Sequence, residues 1–290
     1  MKYFGTELFM KRFSLLLCCL LLLLTGCGAE KTTQPPVIAA TTKPVQQFTA
    51  AIAEGTGLTV EAVVSEPVSC LHDYSLSVTQ MKLVERADLV ILSGCGLEDF
   101  MESALRSAKA AADASANAET LPGEDGADPH IWLDPARAAL MAQNIAAALS
   151  EHYPQYADTF AKNLETLSSR LDELAAYGAA QTEALSCRRL ITFHDGFAYF
   201  AESLGLEVLA SIEEEAGSEV AAADLISIIG TVKEYALPAV FTEVNGSESA
   251  AGIVAAETGC RVFKLDTALG DDDYFTAMRK NYDAIREALS

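Results

Sequence analysis

Apolar residues along this chain fall into two patterns: short unbroken runs, and a repeat of three to four positions. These are the marks of buried strands and amphipathic helices. The first half reads as a strand at 37–42, a helix at 44–54, a β-rich strand at 58–64 and a loop at 65–74. A helix at 77–86 follows, opened by Ser77 with Gln80 three residues on, the signature of a capping box. Residues 87–92 form a short, almost wholly apolar strand, and Gly94-Cys95-Gly96 turns it into another helix. The second half repeats the rhythm, with strands at 189–193, 207–210, 239–242 and 261–265. Its helices fall at 196–204, 220–235, 247–258 and 273–288. Strands alternating with helices predict parallel sheets with right-handed crossovers.

Between the halves, Pro154 opens a stretch that stays helix-compatible to about 185. Phe160, Leu164, Leu167, Leu171 and Leu174 recur along it as one apolar stripe. About thirty residues of helix span roughly 45 Å, longer than a small domain is wide. A rod joining two α/β halves predicts a stiff hinge. A coiled-coil dimer is the alternative, but the stripe is too short to demand one, and a monomer is expected. The predicted fold is therefore α/β, with two similar lobes built on parallel sheets and joined by one long bridging helix. The expected boundaries are 37–153 for the first lobe, 154–186 for the helix and 187–290 for the second lobe.

The N-terminus adds a targeting segment. Lys11 and Arg12 precede an apolar run at 13–24, too short to span a bilayer comfortably. It ends in Leu24-Thr25-Gly26-Cys27, which resembles a bacterial lipobox whose cysteine becomes lipid-modified and the new N-terminus. Residues 1–26 are then a signal peptide and 27–36 a tether containing Pro35-Pro36, with Met10 an alternative start. The expected location is the outer face of the cell membrane, held by lipid alone.

Charge narrows the partners. A formal net charge of −21 repels nucleic acid and anionic membrane faces and concentrates cations, although acidity also serves plain solubility. The stretch 111–128 holds no basic residue and reads as a flexible acidic loop. Of seven cysteines, Cys18 and Cys19 leave with the signal and Cys27 carries lipid. Cys70, Cys95, Cys187 and Cys260 remain where disulfides can persist. Pairing within each half, Cys70 with Cys95 and Cys187 with Cys260, is weighed equally against four reduced, buried thiols. Gly94-x-Gly96 lacks the third glycine of a dinucleotide fingerprint, with Asp99 at that position, and is read as a tight turn.

Candidate chemistry centres on Asp128-Pro129-His130-Ile131-Trp132-Leu133-Asp134-Pro135, which holds the single tryptophan and one of four histidines. Pro129 stiffens the bend before His130, and Asp134 followed by Pro135 is a helix start. Three second-half strands end at His194, Glu243 and Asp266, and His72 follows the second strand after a loop. In parallel sheets, ligands bind beyond the carboxyl ends of strands. Two lobes facing each other across that edge would bring these residues together. Three imidazoles and a carboxylate form a borderline-soft donor set that suits Zn²⁺, and less ideally Mn²⁺ or Fe²⁺. Asp73 and Asp195 each follow such a histidine, and either orient an imidazole or cap the next helix. His152 lies at a polar helix junction and is assigned to the surface.

From 37 onward the chain resembles the solute-binding lipoproteins of zinc or manganese ABC transporters. The resemblance rests on His72-Asp73-Tyr74, Gly94-x-Gly96-Leu97-Glu98, the Asp-Pro-His-x-Trp element, His194-Asp195-Gly196-Phe197-x-Tyr199-Phe200, Phe241-Thr242-Glu243 and Leu265-Asp266. It implies two α/β lobes with the metal buried between them, and the ligands His72, His130, His194 and Asp266. Glu243 is an alternative ligand. Histidine at the third ligand position implies zinc rather than manganese. The partner implied is a membrane permease. The chain departs from many zinc members in that 111–128 is acidic and lacks histidine, which keeps manganese or iron open. Binding would displace protons from imidazoles, so affinity is expected to fall as pH drops through their range. A zinc hydrolase with Glu243 as base and a surface adhesin are the rivals from other classes. No His-Glu-x-x-His helix or nucleophile motif supports the first, and no sequence feature names an adhesin's partner.

Overall fold

Two four-stranded parallel sheets, each covered by helices, are joined along a single long helix. The structure is a computed structural model and describes residues 35–68, 71, 74–123, 126–212 and 220–290. The chain divides into residues 1–35 and a unit of residues 36–290 that contains both sheets. The expected signal segment with Cys27, the loop residues Cys70, His72 and Asp73, and the acidic 213–215 lie outside the described residues. Among those described, no helix is long and apolar enough to cross a membrane.

The first sheet is built from β1 (Val37–Ala40), β2 (Thr59–Ala62), β3 (Leu89–Leu92) and β4 (Ala111–Asp113), in the order β2-β1-β3-β4. The helices α1 (Lys43–Ala53), α2 (Val78–Arg86) and the short α3 (Glu102–Leu105) connect them. Ser77 and Gln80 form the expected capping box at the start of α2. Then come α4 (Pro135–His152), capped by the Asp134 side chain, and the long α5 (Ala157–Thr182). The second sheet contains β5 (Arg189–Thr192), β6 (Glu207–Ser211), β7 (Ala239–Glu243) and β8 (Arg261–Leu265), in the order β6-β5-β7-β8. Its helices are α6 (Ala198–Ser203), α7 (Ala222–Glu234), α8 (Ser249–Thr258) and α9 (Tyr274–Leu289), the last capped by Asp273. The two sheets thus share one strand order. In each, the chain reverses direction of travel across the sheet at the central pair, β1-β3 and β5-β7, which places a crevice at their carboxyl ends.

The apolar stripe on α5 is buried along its length. Phe160, Leu167, Leu171 and Leu174 are fully buried and Leu164 partly so. The helix packs on α1 and α4 of the first lobe and on α9 of the second. One apolar cluster runs without a break from Ile38 and Phe48 through Leu171 to Phe241, Tyr274 and Tyr282. Each such side chain contributes about 1.5–3 kcal/mol on burial, so opening the lobes on this side would forfeit several of them at once. Smaller clusters lie under α2 in the first lobe and under α7 and α8 in the second.

Two expectations need correction. Residues 111–128 are not wholly a loop: β4 pairs in parallel with β3, and Pro122 and Ala127 meet in an antiparallel bridge. Alanine and aspartate are poor strand formers, and pairing with the buried β3 overrides that preference. Cys187 and Cys260 are unbridged. They precede β5 and β8, between which β7 lies, so about two strand spacings, roughly 9–10 Å, separate them. A disulfide needs Cα atoms within about 7 Å. Cys95 is also a free thiol, and burial pushes it up.

The turn after β3 is tight, as the glycines predict. Gly94, Cys95 and Gly96 are consecutively left-handed, at φ of 91°, 55° and 84°. A Cβ on Gly94 would fall 2.0 Å from Asp113 Oδ1. Glu98 holds the turn closed: its carboxylate accepts from Ser93 N at 2.6 Å, Gly94 N at 3.1 Å and the Thr41 hydroxyl at 2.6 Å. Burial pushes this carboxyl above its ordinary value. A carboxyl raised in the folded state stabilises most below its unfolded pKa, and that contribution is lost as pH rises through the folded value. Thermal melts of metal-free Glu98→Gln are therefore expected to depend less on pH, from about 4.5 upward, than melts of the parent. A parallel dependence would refute that role.

Candidate metal centre

His130 is set in place by its own neighbourhood. Asp128 Oδ1 accepts from the His130 backbone N–H and from ring Nδ1, both at 2.9 Å, with both residues almost fully buried. An ionised carboxylate only accepts, so Nδ1 is the donor here, and in the neutral ring Nε2 is the nitrogen left with a lone pair. Pro129 stiffens the link between them. Residues Ile131–Leu133 make one 3-10 turn, after which Asp134 caps α4. Trp132 is fully buried, its ring centroid 5.3 Å from that of His130.

His194 arrives from the other lobe, two residues past β5 and 5% exposed. Its ring meets that of His130 edge-on, centroids 5.3 Å apart. Gly196 allows this. A Cβ there would lie 2.8 Å from His194 Nε2 and 3.0 Å from His130 Cδ2. The glycine, inside the 3-10 turn Asp195–Phe197, forms a floor on which two imidazoles from opposite lobes converge.

Asp266 follows β8 and is 4% exposed. The Asn281 side chain grips its backbone twice: Asp266 N donates to Asn281 Oδ1, and Asn281 Nδ2 donates to Asp266 O, each at 2.8 Å. Ala268 N donates to Asp266 Oδ1 at 2.7 Å. Burial raises this carboxyl above its ordinary value. Trp132 ties the two regions together, since its indole N–H donates to Thr267 O at 2.7 Å. The Thr267 hydroxyl in turn donates to Glu243 Oε1 at 2.9 Å, and Glu243 is itself buried at the end of β7.

The structure therefore brings His130 and His194 together and links them through Trp132 to the segment of Asp266 and Glu243. Among the described residues, no group of three or more His, Cys, Asp or Glu is placed to hold an ion. His72 and Asp73 lie outside the described residues. Asp195 is half-buried where the turn after His194 begins, and His152 is exposed as expected. Asp128 is the orienting carboxylate that sequence reasoning passed over. The signal for it was present, since an Asp two residues before a histidine can reach that residue's backbone N–H. Losing such an orienting partner weakens metal binding about 10–100-fold. Asp128→Asn is expected to fall in that range by competition titration, and unchanged affinity would remove Asp128 from the site.

Comparison with known proteins bears on the family and the fold. Zinc-binding protein AdcA of Streptococcus pyogenes serotype M1 is 32% identical over 168 residues, 55% of this chain and 32% of that protein. The chain thus spans about a third of that relative's length. Iron-binding protein YfeA of Yersinia pestis is 27% identical over 220 residues, 72% of this chain and 71% of that protein. The crystal structure of ZnuA superposes with a TM-score of 0.79 at 29% identity, covering 89% of this chain and 100% of that one. The profile described as "ZnuA: Zinc-uptake complex component A periplasmic" matches residues 38–288. With that match over residues 38–288 and the shared two-lobed fold, the chain belongs to that family of zinc-uptake components.

Proposed function

We propose that this protein captures Zn²⁺ outside the cytoplasmic membrane and delivers it to the permease of an ABC importer. The observation that carries this is the meeting of His130 and His194, from opposite lobes, beside a glycine whose added Cβ would fall 2.8 Å from one ring and 3.0 Å from the other. In this reading His72 and Asp266 complete a four-coordinate shell, Glu243 standing by as an alternative oxygen donor. Neutral imidazoles plus one carboxylate suit Zn²⁺ well. The iron-binding relative makes Fe²⁺, and by similar chemistry Mn²⁺, the second reading.

The role is carriage without catalysis. Membership of a family of zinc-uptake components supports carriage over hydrolysis. The protein acts as a monomer, tethered through lipidated Cys27 ahead of the lobes at 37–153 and 187–290. The stiff α5 limits opening, so release falls to local movement of the ligand segments when the permease engages. Exposing the purified protein to equimolar Zn²⁺, Mn²⁺ and Fe²⁺ tests the assignment. Elemental analysis is expected to find one Zn²⁺ per chain. Stoichiometric Mn²⁺ or Fe²⁺ in its place would overturn the choice of zinc, and no bound metal at all would overturn the role.

A further inference from the structure

Residues 121–128 double back on themselves just before His130. Pro122 bridges Ala127, Gly123 N donates to Gly126 O at 2.8 Å, and Asp128 N donates to Leu121 O at 2.9 Å. In an antiparallel pair of this kind, facing residues exchange two backbone hydrogen bonds. Leu121 and Asp128 exchange only one. In place of the second, the Tyr199 hydroxyl is inserted: it accepts from Leu121 N at 2.9 Å and donates to Asp128 O at 2.8 Å.

Tyr199 belongs to the other lobe. It sits on α6, five residues after His194 and immediately beyond the turn containing Gly196. Its side chain is fully buried, and burial pushes the phenol up to about 12, so the hydroxyl stays a donor. The ring is held from outside as well. The Arg137 guanidinium lies 4.6 Å from its centroid and bridges Asp134, the cap of α4, to Glu202 on α6, both at 2.8 Å. One phenol therefore connects the segment that carries His194 to the residue whose carboxylate orients His130.

We propose that Tyr199 is a positioning residue for metal binding: by completing the backbone pair at Leu121 and Asp128, it fixes the distance between the His130 and His194 imidazoles. This rests on the metal site proposed above. Without the hydroxyl, Asp128 O and Leu121 N lose their shared partner, and the Asp128–His130 unit is free to drift from His194. The ion can still enter, but its shell is held less firmly. The effect belongs to dissociation.

The test uses the full chain, with Zn²⁺ release into excess chelator and Zn²⁺ uptake followed by stopped flow, beside the Co²⁺ absorption spectrum. Tyr199→Phe is expected to release Zn²⁺ about tenfold faster than the parent, with uptake within twofold and a displaced Co²⁺ band. Arg137→Gln keeps the phenol while removing the guanidinium from its face, and is expected to speed release about threefold. It also provides the answer if Tyr199→Phe fails to fold. A release rate within twofold of the parent in the folded variants, even with a lowered melting temperature, would mean a merely structural hydroxyl and overturn the proposal. A parent protein that binds no Zn²⁺ would instead overturn the metal site itself.

Discussion

Replacing His130 with alanine is expected to weaken Zn²⁺ binding by well over a hundredfold. Loss of a residue that only orients a ligand costs about 10–100-fold, and loss of the ligand itself must exceed that. The alanine also leaves Asp128 Oδ1 with the backbone N–H alone, where the parent supplies a ring N–H as well. A hydrogen bond to a charged group contributes about 1.5–3 kcal/mol, so a fall in stability of that order should accompany the loss of binding. Competition against a chromophoric chelator measures the first effect and thermal melting of the metal-free protein the second. An affinity within a few-fold of the parent would remove His130 from the shell.

Gly196→Ala should be nearly as damaging to binding, for a purely steric reason. The position lies in a 3-10 turn, where alanine is accommodated by the backbone. The added Cβ would stand 2.8 Å from His194 Nε2 and 3.0 Å from His130 Cδ2. Both rings are almost fully buried and packed, His130 against Trp132 and His194 against Phe197, so neither can retreat without disturbing an aromatic neighbour. Affinity is expected to drop at least as far as for Asp128→Asn, with the melting temperature of the metal-free protein changed by only a few degrees. If Gly196→Ala binds Zn²⁺ normally, the two imidazoles do not converge there.

What was legible in the sequence was local. Buried parallel strands read as continuous apolar runs because both faces are covered, and β1, β3 and β7 show that burial. The stripe on α5 and the caps at Ser77 and Asp134 depend on residues within one or two turns. What stayed hidden was tertiary. Nothing in one sequence says that Gly196 must clear two rings from separate lobes. Nor does it reveal that Trp132 reaches Thr267, 135 positions away, or that Tyr199 reaches Asp128 across 71. The strand β4 escaped because its Ala and Asp have no β preference of their own. The Cys187–Cys260 pairing failed because spacing along the chain says nothing of β7 lying between β5 and β8.

In the proposed site, His72, His130, His194 and Asp266 together close on one ion. X-ray absorption at the zinc edge of the loaded protein tests it most directly. The expected first shell is nitrogen and oxygen at about 2.0–2.1 Å, with the outer-ring scattering of three imidazoles and no sulfur near 2.3 Å. A sulfur contribution, or fewer than three imidazoles, would contradict it.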